Sequence, residues 1–215
     1  MKNTKRIHKK IACLGFSANP PHVGHLDLAK FVLRYGRVDE IWLIPCAKHR
    51  FKRSLLPARH RWAMTRLMER PKIKACDIEL RRGGTSYTID TIRELKQRYP
   101  TYTFLWIIGS DIVVNWSYRR WNKWRALSHL ATFLVVERPG FFLHANMRLP
   151  KCFRILRGGS EFRLRRTISS TYIRRRLRKG FPIEGFVTKK VEEYLRRIGR
   201  DVEILRLKKE IENPA

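Results

Sequence analysis

Residues 15–26 read GFSANPPHVGHL, and this stretch decides how the chain folds around its chemistry. It follows an apolar run at 11–14, which predicts a strand, and precedes an apolar-periodic run at 26–35, which predicts a helix. His22 and His25 lie three residues apart. A strand that breaks at glycine and proline and re-enters as a helix presents backbone N–H groups and imidazoles to one point in space. Such a point suits a phosphate.

Apolar runs alternate with helix-period stretches along the rest of the chain. The predicted strands are 11–14, 40–45, 72–80, 102–108, 131–137 and 152–156, and the predicted helices are 26–35, 58–69, 88–98, 169–179 and 188–198. This alternation implies right-handed crossovers and parallel strands. The predicted fold class is therefore α/β, a single Rossmann-like doubly wound domain with a mostly parallel sheet flanked by helices. We expect ligands at the carboxyl ends of the strands, near the point where the strand order reverses.

Net charge is the unusual feature of the composition. Lys and Arg number 48 and Asp and Glu 18, which gives a formal charge of +30. A field of this sign favours polyanions such as nucleic acid or anionic membrane, and polyphosphate substrates. A lineage whose proteins are basic in general, or one that works at high counter-ion concentration, would give the same composition. Because the charge is spread along the chain, the sequence favours neither reading.

The organisation of the chain is simple. Residues 1–10 are predicted to form a basic tail, 11–200 one folded domain, 157–166 a loop within it, and 201–215 a C-terminal extension. No apolar run approaches the roughly 20 residues that span a bilayer, so no membrane segment is expected.

The four cysteines are Cys13, Cys46, Cys76 and Cys152. They lie in or beside apolar, strand-like runs and lack the spacing of metal ligands. This predicts buried free thiols in a reducing compartment, the cytoplasm.

A second motif, ISSTYIRRRL, occupies residues 168–177. Ser169 and Ser170 open a predicted helix, and Arg174 lies one turn further on. Hydroxyls, free N–H groups, the helix dipole and a guanidinium therefore converge there. An ordinary N-cap with a solvated basic face is the plainer interpretation. The two histidines of the first motif also have alternatives: packing or capping residues, or zinc ligands without a third ligand at a recognisable spacing.

The two motifs in this order, with a Gly-x-Asp between them, resemble the nucleotidylyltransferase superfamily. Within it the chain is similar to the bacterial nicotinate or nicotinamide mononucleotide adenylyltransferases. Further matches are Gly109-Ser110-Asp111, Thr85 to Thr88 with Asp90-Thr91, Trp121 and Trp124, Arg138-Pro139-Gly140, and His49 to Arg53. The resemblance covers about 11–198 and makes 11–200 a nucleotidylyltransferase domain. The chain departs from the family pattern at Phe16 and Ala18, at Asn19 and at Lys52.

The resemblance implies transfer of AMP from ATP to the 5′-phosphate of a pyridine mononucleotide, nicotinate or nicotinamide, in NAD biosynthesis. It implies His22, His25 and Arg174 as catalytic residues. The implied ATP-binding residues are Gly15, Ser17, Gly24, Gly109, Asp111, Ile168, Ser169 and Ser170. The implied mononucleotide-binding residues are Lys48, His49, Lys52, Tyr87, Thr88, Trp121 and Arg138. Mg²⁺ is the implied cofactor, bound through phosphate oxygens and water and by no protein side chain.

Two other functions stay open at this point. One is a pantetheine-phosphate adenylyltransferase or a cytidylyltransferase of the same superfamily, against which the 85–91 segment, Trp121 and the chain length argue. The other is a basic nucleic-acid-binding protein on the same scaffold. For the favoured function the partners are ATP and a pyridine mononucleotide. Weak nucleic-acid binding through the basic surface and a homo-oligomer are compatible with it.

Overall fold

Six strands form one sheet in a computed structural model that describes residues 8–50, 55–144, 147–158 and 168–199. The strands are β1 (Lys10–Phe16), β2 (Glu40–Pro45), β3 (Ile73–Ala75), β4 (Thr103–Gly109), β5 (Thr132–Val136) and β6 (Phe153–Leu156). Their order is β3-β2-β1-β4-β5-β6, and every neighbouring pair is parallel. The α/β prediction is confirmed, with a sheet that is wholly rather than mostly parallel. The strand order reverses between β1 and β4.

Eight helices accompany the sheet in the described part of the chain. They are α1 (Val23–Tyr35), α2 (Ala58–Arg66), α3 (Ile78–Arg82), α4 (Thr88–Arg98), α5 (Ser110–Val114), α6 (Trp124–Leu130), α7 (Ser170–Arg178) and α8 (Lys189–Ile198), with a 3-10 turn at Ser117–Arg120. Within the described ranges, no helix combines the length and the apolar character that crossing a membrane requires.

The two faces of the sheet carry separate apolar cores. Ala12 and Leu14 of β1 join one core with residues of α1, α2, α7 and α8, whereas Ile11 and Cys13 join the other with residues of α3, α4 and α6. This alternation follows from the strand period of two. Because both faces are covered, the strands read in the sequence as continuous apolar runs. The sheet is doubly wound, as predicted.

The structure corrects one predicted strand and adds elements that were not predicted. The strand expected over 72–80 is limited to the three residues of β3 at the sheet edge, and 78–82 is the short helix α3. Helix α2 ends at Arg66, earlier than expected, and α5, the 3-10 turn and α6 were missed. Lys10, assigned to the tail, is the first residue of β1 and pairs with Thr103.

The cysteines and one loop need a smaller correction. Cys13 and Cys46 are buried thiols as predicted, but Cys76 and Cys152 are only partly buried; all four are free. The loop expected over 157–166 lies outside the described residues from 159 onwards.

Candidate active site

A cleft of about 790 Å³ opens at the carboxyl ends of β1 and β4, where the strand order reverses. Its lining includes most of the residues that the sequence nominated: Gly15, Ser17, His22, Gly24, His25, His49, Tyr87, Thr88, Gly109, Asp111, Trp121, Arg138, Ile168, Ser169 and Ser170. Lys48 and Arg174 are described but do not line the cleft. Lys52 lies outside the described residues. Residues up to 157 positions apart in the chain, Leu14 and Thr171, thus meet in one cavity.

The histidine pair forms the start of α1. The His22 N–H donates to Nδ1 of His25 at 3.1 Å, and the His25 N–H donates to the carbonyl oxygen of His22 at 3.0 Å. Since Nδ1 of His25 accepts a hydrogen bond, the neutral ring carries its proton on Nε2. The His25 ring lies between two others, with centroids 3.7 Å from His22 and 4.7 Å from Phe16. Phe16, a departure from the family pattern, therefore packs directly against this imidazole.

His22 is buried and neutral. Only 7% of the residue is exposed. Burial, followed by the positive charge of Arg138, lowers the pKa of His22 from 6.5 to about 4. Its Nδ1 atom is buried without a hydrogen-bond partner among the described residues. At neutral pH this imidazole is an uncharged polar group that a ligand in the cleft can satisfy.

The low pKa of His22 predicts acid sensitivity. The unfolded chain binds this proton near pH 6.5 and the folded chain only near pH 4. The resulting stability is therefore complete above pH 6.5 and is lost as the pH falls towards 4. Between pH 7.5 and pH 5 the wild type should lose about 2 kcal/mol of unfolding free energy that a His22→Gln variant keeps. Urea unfolding of both proteins at the two pH values measures this difference, and equal losses would contradict it.

Close approach explains the glycine at the end of β4. A Cβ atom on Gly109 would overlap the Oδ1 atom of Asp111 and the side chain of Arg138. Asp111 Oδ2 and Arg138 Nη1 form an ion pair at 3.1 Å beside it. The other carboxylate oxygen, Oδ1, is buried without a partner among the described residues. It is an acceptor in the cleft lining that lacks a donor.

Ser110 joins the loop after β5 to the end of β4. Its hydroxyl donates to the carbonyl oxygen of Phe141 at 2.6 Å and accepts from the Arg138 N–H at 2.9 Å. The Gly-Ser-Asp and Arg-Pro-Gly segments, 28 residues apart, are therefore one structural unit. This unit sets the position of the Arg138 side chain at the rim of the cleft.

The second motif is held against the first loop. The Ser169 hydroxyl caps α7 by accepting from the Tyr172 N–H at 3.1 Å. Ser170 Oγ donates to the carbonyl oxygen of Pro20 at 2.9 Å, and Arg174 Nη1 donates to that of Asn19 at 2.8 Å. Burial, followed by the charge of Arg178, lowers the pKa of the Arg174 guanidinium. The two motifs predicted to form one phosphate site are thus joined, with the guanidinium behind the loop.

Ala18 gives the first loop its unusual shape. It is fully buried, with a positive φ of 51°. This conformation is uncommon and costs free energy for a residue with a Cβ atom. The neighbouring Asn19 side chain is also buried and accepts from the Leu56 N–H at 3.1 Å. The loop therefore depends on specific polar contacts.

The N-terminus of α4 forms the opposite side of the cleft. Tyr87 precedes the helix in an extended conformation, with φ −113° and ψ 132°. The N–H groups of Tyr87 and Thr88 have no hydrogen-bond partner among the described residues. Trp121 is half-buried, lines the cleft and packs edge-on against Phe133 with centroids 5.7 Å apart. Its ring serves as a core anchor and as part of the cleft wall.

The backbone of Lys48 forms hydrogen bonds beside the cleft, although its side chain does not line it. Its N–H donates to the Gly84 carbonyl oxygen at 3.1 Å, and its own carbonyl oxygen accepts from the Ser86 N–H at 3.0 Å. These bonds join the loop after β2 to the segment that precedes α4. His49, the next residue, lines the cleft at this junction.

Sequence reasoning missed Glu79. It is 3% exposed, lines the cleft, and accepts from the Thr91 hydroxyl at 2.6 Å. Ser86, whose hydroxyl also bonds this carboxyl, accepts from the Ala47 N–H at 2.9 Å. Burial raises the pKa of Glu79. A lone glutamate in the strand predicted over 72–80 gave no indication of this role.

Arg61 is the second residue that was missed. It belongs to α2 and is 2% exposed. Its guanidinium donates to four backbone carbonyl oxygens, those of Leu56 (2.8 Å), Ser17 (3.2 Å), Ala47 (2.8 Å) and Cys46. In the sequence it is one arginine among several in a basic helix, and nothing there separates it from its exposed neighbours.

Comparison with known proteins agrees with this architecture. The cytidylyltransferase-like family model matches residues 15–176. Bacillus subtilis nicotinate-nucleotide adenylyltransferase is 35% identical over 195 residues, 89% of this chain and 97% of that protein. A Shouchella clausii protein named "Probable nicotinate-nucleotide adenylyltransferase" is 37% identical over 196 residues, 87% of this chain and 94% of that protein.

A solved structure shows the same fold. Plasmodium falciparum nicotinic acid mononucleotide adenylyltransferase complexed with NaAD superposes with a TM-score of 0.75 at 23% identity, covering 90% of this chain and 97% of that one. The sequence matches extend over nearly the whole length of the bacterial relatives at identities above 30%. The resemblance read from the motifs is confirmed. The chain belongs to the cytidylyltransferase-like family and, within it, to the nicotinate-nucleotide adenylyltransferases.

Proposed function

We propose that the protein transfers AMP from ATP to the 5′-phosphate of nicotinate mononucleotide, forming deamido-NAD and pyrophosphate in NAD biosynthesis. One observation carries the proposal. A single cleft has the histidine pair and the start of α7 on one side and the N-terminus of α4 with Trp121 on the other. One side of the cleft thus suits the phosphates of ATP, and the other suits a planar ring that carries a carboxylate. The names of the bacterial relatives support the same reaction.

The chemistry is a displacement at phosphorus. An oxygen of the mononucleotide phosphate attacks the α-phosphorus of ATP, a new P–O bond forms, and the bond to the bridging oxygen of pyrophosphate breaks. The attacking group is already ionised, so no general base and no covalent nucleophile is required. Catalysis then consists of aligning two polyanions and stabilising charge on the α-phosphate oxygens.

The phosphate side of the cleft has suitable donors. His25 Nε2–H is proposed to contact the α-phosphate, with neutral His22 beside it. Ser17, Ser169 and the backbone N–H of Ser170, with the N-termini of α1 and α7, would bind the remaining phosphates. The Ser170 hydroxyl already donates its proton to Pro20. Gly15, Gly24 and Ile168 shape this side, and Gly109 and Asp111 would receive the adenosine. Arg174 would act through the Asn19 loop, as a positioning residue whose charge lies behind the phosphates.

Magnesium is proposed to be bound through the nucleotide. Within the described ranges, no three His, Cys, Asp or Glu side chains form a cluster that could hold a metal ion. The carboxylates in the lining are Asp111, which pairs with Arg138, and Glu79, which bonds hydroxyls. This donor set fits an ion held by phosphate oxygens and water, not by the protein. Mg²⁺ would supply positive charge that neutralises the phosphates.

The side of the cleft proposed to bind the mononucleotide favours the carboxylate of nicotinate over the amide of nicotinamide. The N-terminus of α4 carries partial positive charge, and its N–H groups have no partner within the described ranges, so it would stabilise a carboxylate more than a neutral amide. Trp121 would stack on the pyridine ring. Lys48, His49, Lys52 and Arg138 would attract the mononucleotide phosphate. Nicotinate mononucleotide is therefore the proposed acceptor.

Thr88→Pro tests this acceptor site. Proline is accepted at the first position of a helix, and the extended Tyr87 suits a residue that precedes proline. The variant should therefore fold while lacking one N–H donor. We expect the KM for nicotinate mononucleotide to rise roughly 10-fold or more, as for a lost hydrogen bond to a charged group, with the KM for ATP unchanged. Thr88→Ala, which keeps the N–H, is the control; an unchanged KM in folded Thr88→Pro would contradict the site.

The decisive experiment is an assay of pyrophosphate release. Purified protein with Mg²⁺ is given ATP or CTP and, in turn, nicotinate mononucleotide, nicotinamide mononucleotide and pantetheine phosphate. The proposal expects the highest kcat/KM with ATP and nicotinate mononucleotide. Preference for pantetheine phosphate or for CTP would replace it with another activity of the superfamily.

The charge of +30 supports a second, weaker proposal, non-specific binding of nucleic acid. Exposed cations on α7 and α8 include Arg175, Lys189 and Lys190, and Lys179 follows α7 directly. Binding of this kind depends on counter-ion release and weakens steeply with salt. A titration with RNA that shows no binding at physiological ionic strength would remove the proposal. A homo-oligomer stays a prediction, for light scattering to measure.

A further inference from the structure

Arg61 places a buried positive charge directly behind the cleft. Its guanidinium pairs with no carboxylate in the described part of the chain, and it contacts the four backbone carbonyl oxygens and, at 4.0 Å, the Sγ atom of Cys46. Burying an arginine without an acidic partner is costly, and an apolar side chain of similar size would often serve stability better. The side chain therefore calls for an explanation beyond packing.

The four acceptors belong to three separate segments. Ser17 follows β1, Cys46 and Ala47 follow β2, and Leu56 precedes α2. Ser17 and Cys46 themselves line the cleft. One planar group, with N–H donors in a fixed fork, thus fixes the ends of two neighbouring strands relative to each other.

The hydrogen bonds continue on both sides of Arg61. On the ATP side, the Leu56 N–H donates to the side-chain Oδ1 of Asn19, and the backbone carbonyl oxygen of Asn19 accepts from Arg174. On the side proposed to bind the mononucleotide, the Ala47 N–H donates to the Ser86 hydroxyl, next to the start of α4. The guanidinium therefore links the loop of the ATP side to the loop of the mononucleotide side, in addition to the direct bond from the Cys46 N–H to the Phe16 carbonyl oxygen at 2.9 Å.

We propose that Arg61 is a positioning residue that sets the spacing between the two substrate-binding loops, and so the alignment of the attacking phosphate with ATP. The proposal rests on the adenylyl transfer proposed above. It requires the fork of the guanidinium as well as its charge, because a single ammonium cannot donate to carbonyl groups in three segments at these directions. Loss of alignment lowers kcat, since a displacement of about 1 Å can cost about 100-fold in rate.

Two variants and a control test the proposal. Arg61→Lys keeps the charge without the fork, and Arg61→Met removes both. Arg66→Met removes an exposed charge from the same helix. For each protein, kcat, the two KM values, the melting temperature and the ATP-induced rise in melting temperature are measured.

We expect Arg61→Lys to fold and to bind ATP, with kcat lowered by at least about 10-fold, and Arg66→Met to behave as the wild type. Arg61→Met should lower kcat further and weaken both substrates. If it fails to fold, Arg61→Lys alone decides. Wild-type kcat and KM values in Arg61→Lys would overturn the proposal. A wild type that is inactive with pyridine mononucleotides but stabilised by ATP would instead refute the proposed function.

Discussion

Replacing His25 by alanine is expected to lower kcat for pyrophosphate release by about 10²–10³-fold, the cost of removing one donor from a site that stabilises charge in the transition state. The ring is held between Phe16 and His22, and its Nδ1 is engaged by the His22 N–H, so the Nε2–H donor has a fixed position. No solvent molecule that replaced it would be oriented in the same way. Steady-state kinetics at saturating substrates measures the effect.

The control for this variant is His129→Ala, which removes an exposed imidazole from α6. It should leave kcat unchanged. The melting temperature of His25→Ala, taken with and without ATP, separates loss of catalysis from loss of fold. A folded His25→Ala protein with near-normal pyrophosphate release would refute the role of this residue.

Gly109→Ala is expected to cost about 100-fold in kcat/KM for ATP, in keeping with the cost of displacing groups by about 1 Å in an aligned site. The added methyl group would overlap Asp111 and Arg138, so these two side chains, which form an ion pair at the cleft, must shift. The buried Oδ1 acceptor of Asp111 would be displaced as well. ATP binding measured by calorimetry should weaken in parallel.

A double-mutant cycle identifies the cause. If the methyl group acts by pushing Arg138, the Gly109→Ala change should cost much less in an Arg138→Ala background than in the wild type. Equal costs in the two backgrounds would mean that the overlap with Arg138 is irrelevant. A lowered melting temperature without a change in ATP affinity would place the effect in folding alone.

The sequence was most informative where geometry is local. The strand, turn and helix of 11–35 can be predicted from their own residues, because glycine and proline end the strand and a run with helical apolar periodicity follows. Helix α4 was predicted from Thr88 to Arg98, the bounds that the structure shows. The strands were recognisable because burial on both faces makes them continuously apolar.

Long-range polar contacts could not be predicted in this way. Arg61 and Glu79 become important only through groups that folding brings to them, four carbonyl oxygens in one case and two hydroxyls in the other. Neither residue type is usually buried, so a prediction from composition places both on the surface. The short helices α3 and α5 have five residues each, too few to show a period.

The contacts between α7 and the first loop have a consequence for the order of synthesis. Ser170 and Arg174 donate to carbonyl oxygens of Pro20 and Asn19, which are 150 and 155 residues earlier in the chain. During synthesis on the ribosome, the loop that carries the histidines emerges first. Its hydrogen bonds to Ser170 and Arg174 cannot form until most of the polypeptide has been made. A nascent chain that stops before Ser170 has the histidines without the donors that hold their loop, so nucleotide binding would be acquired at the end of translation.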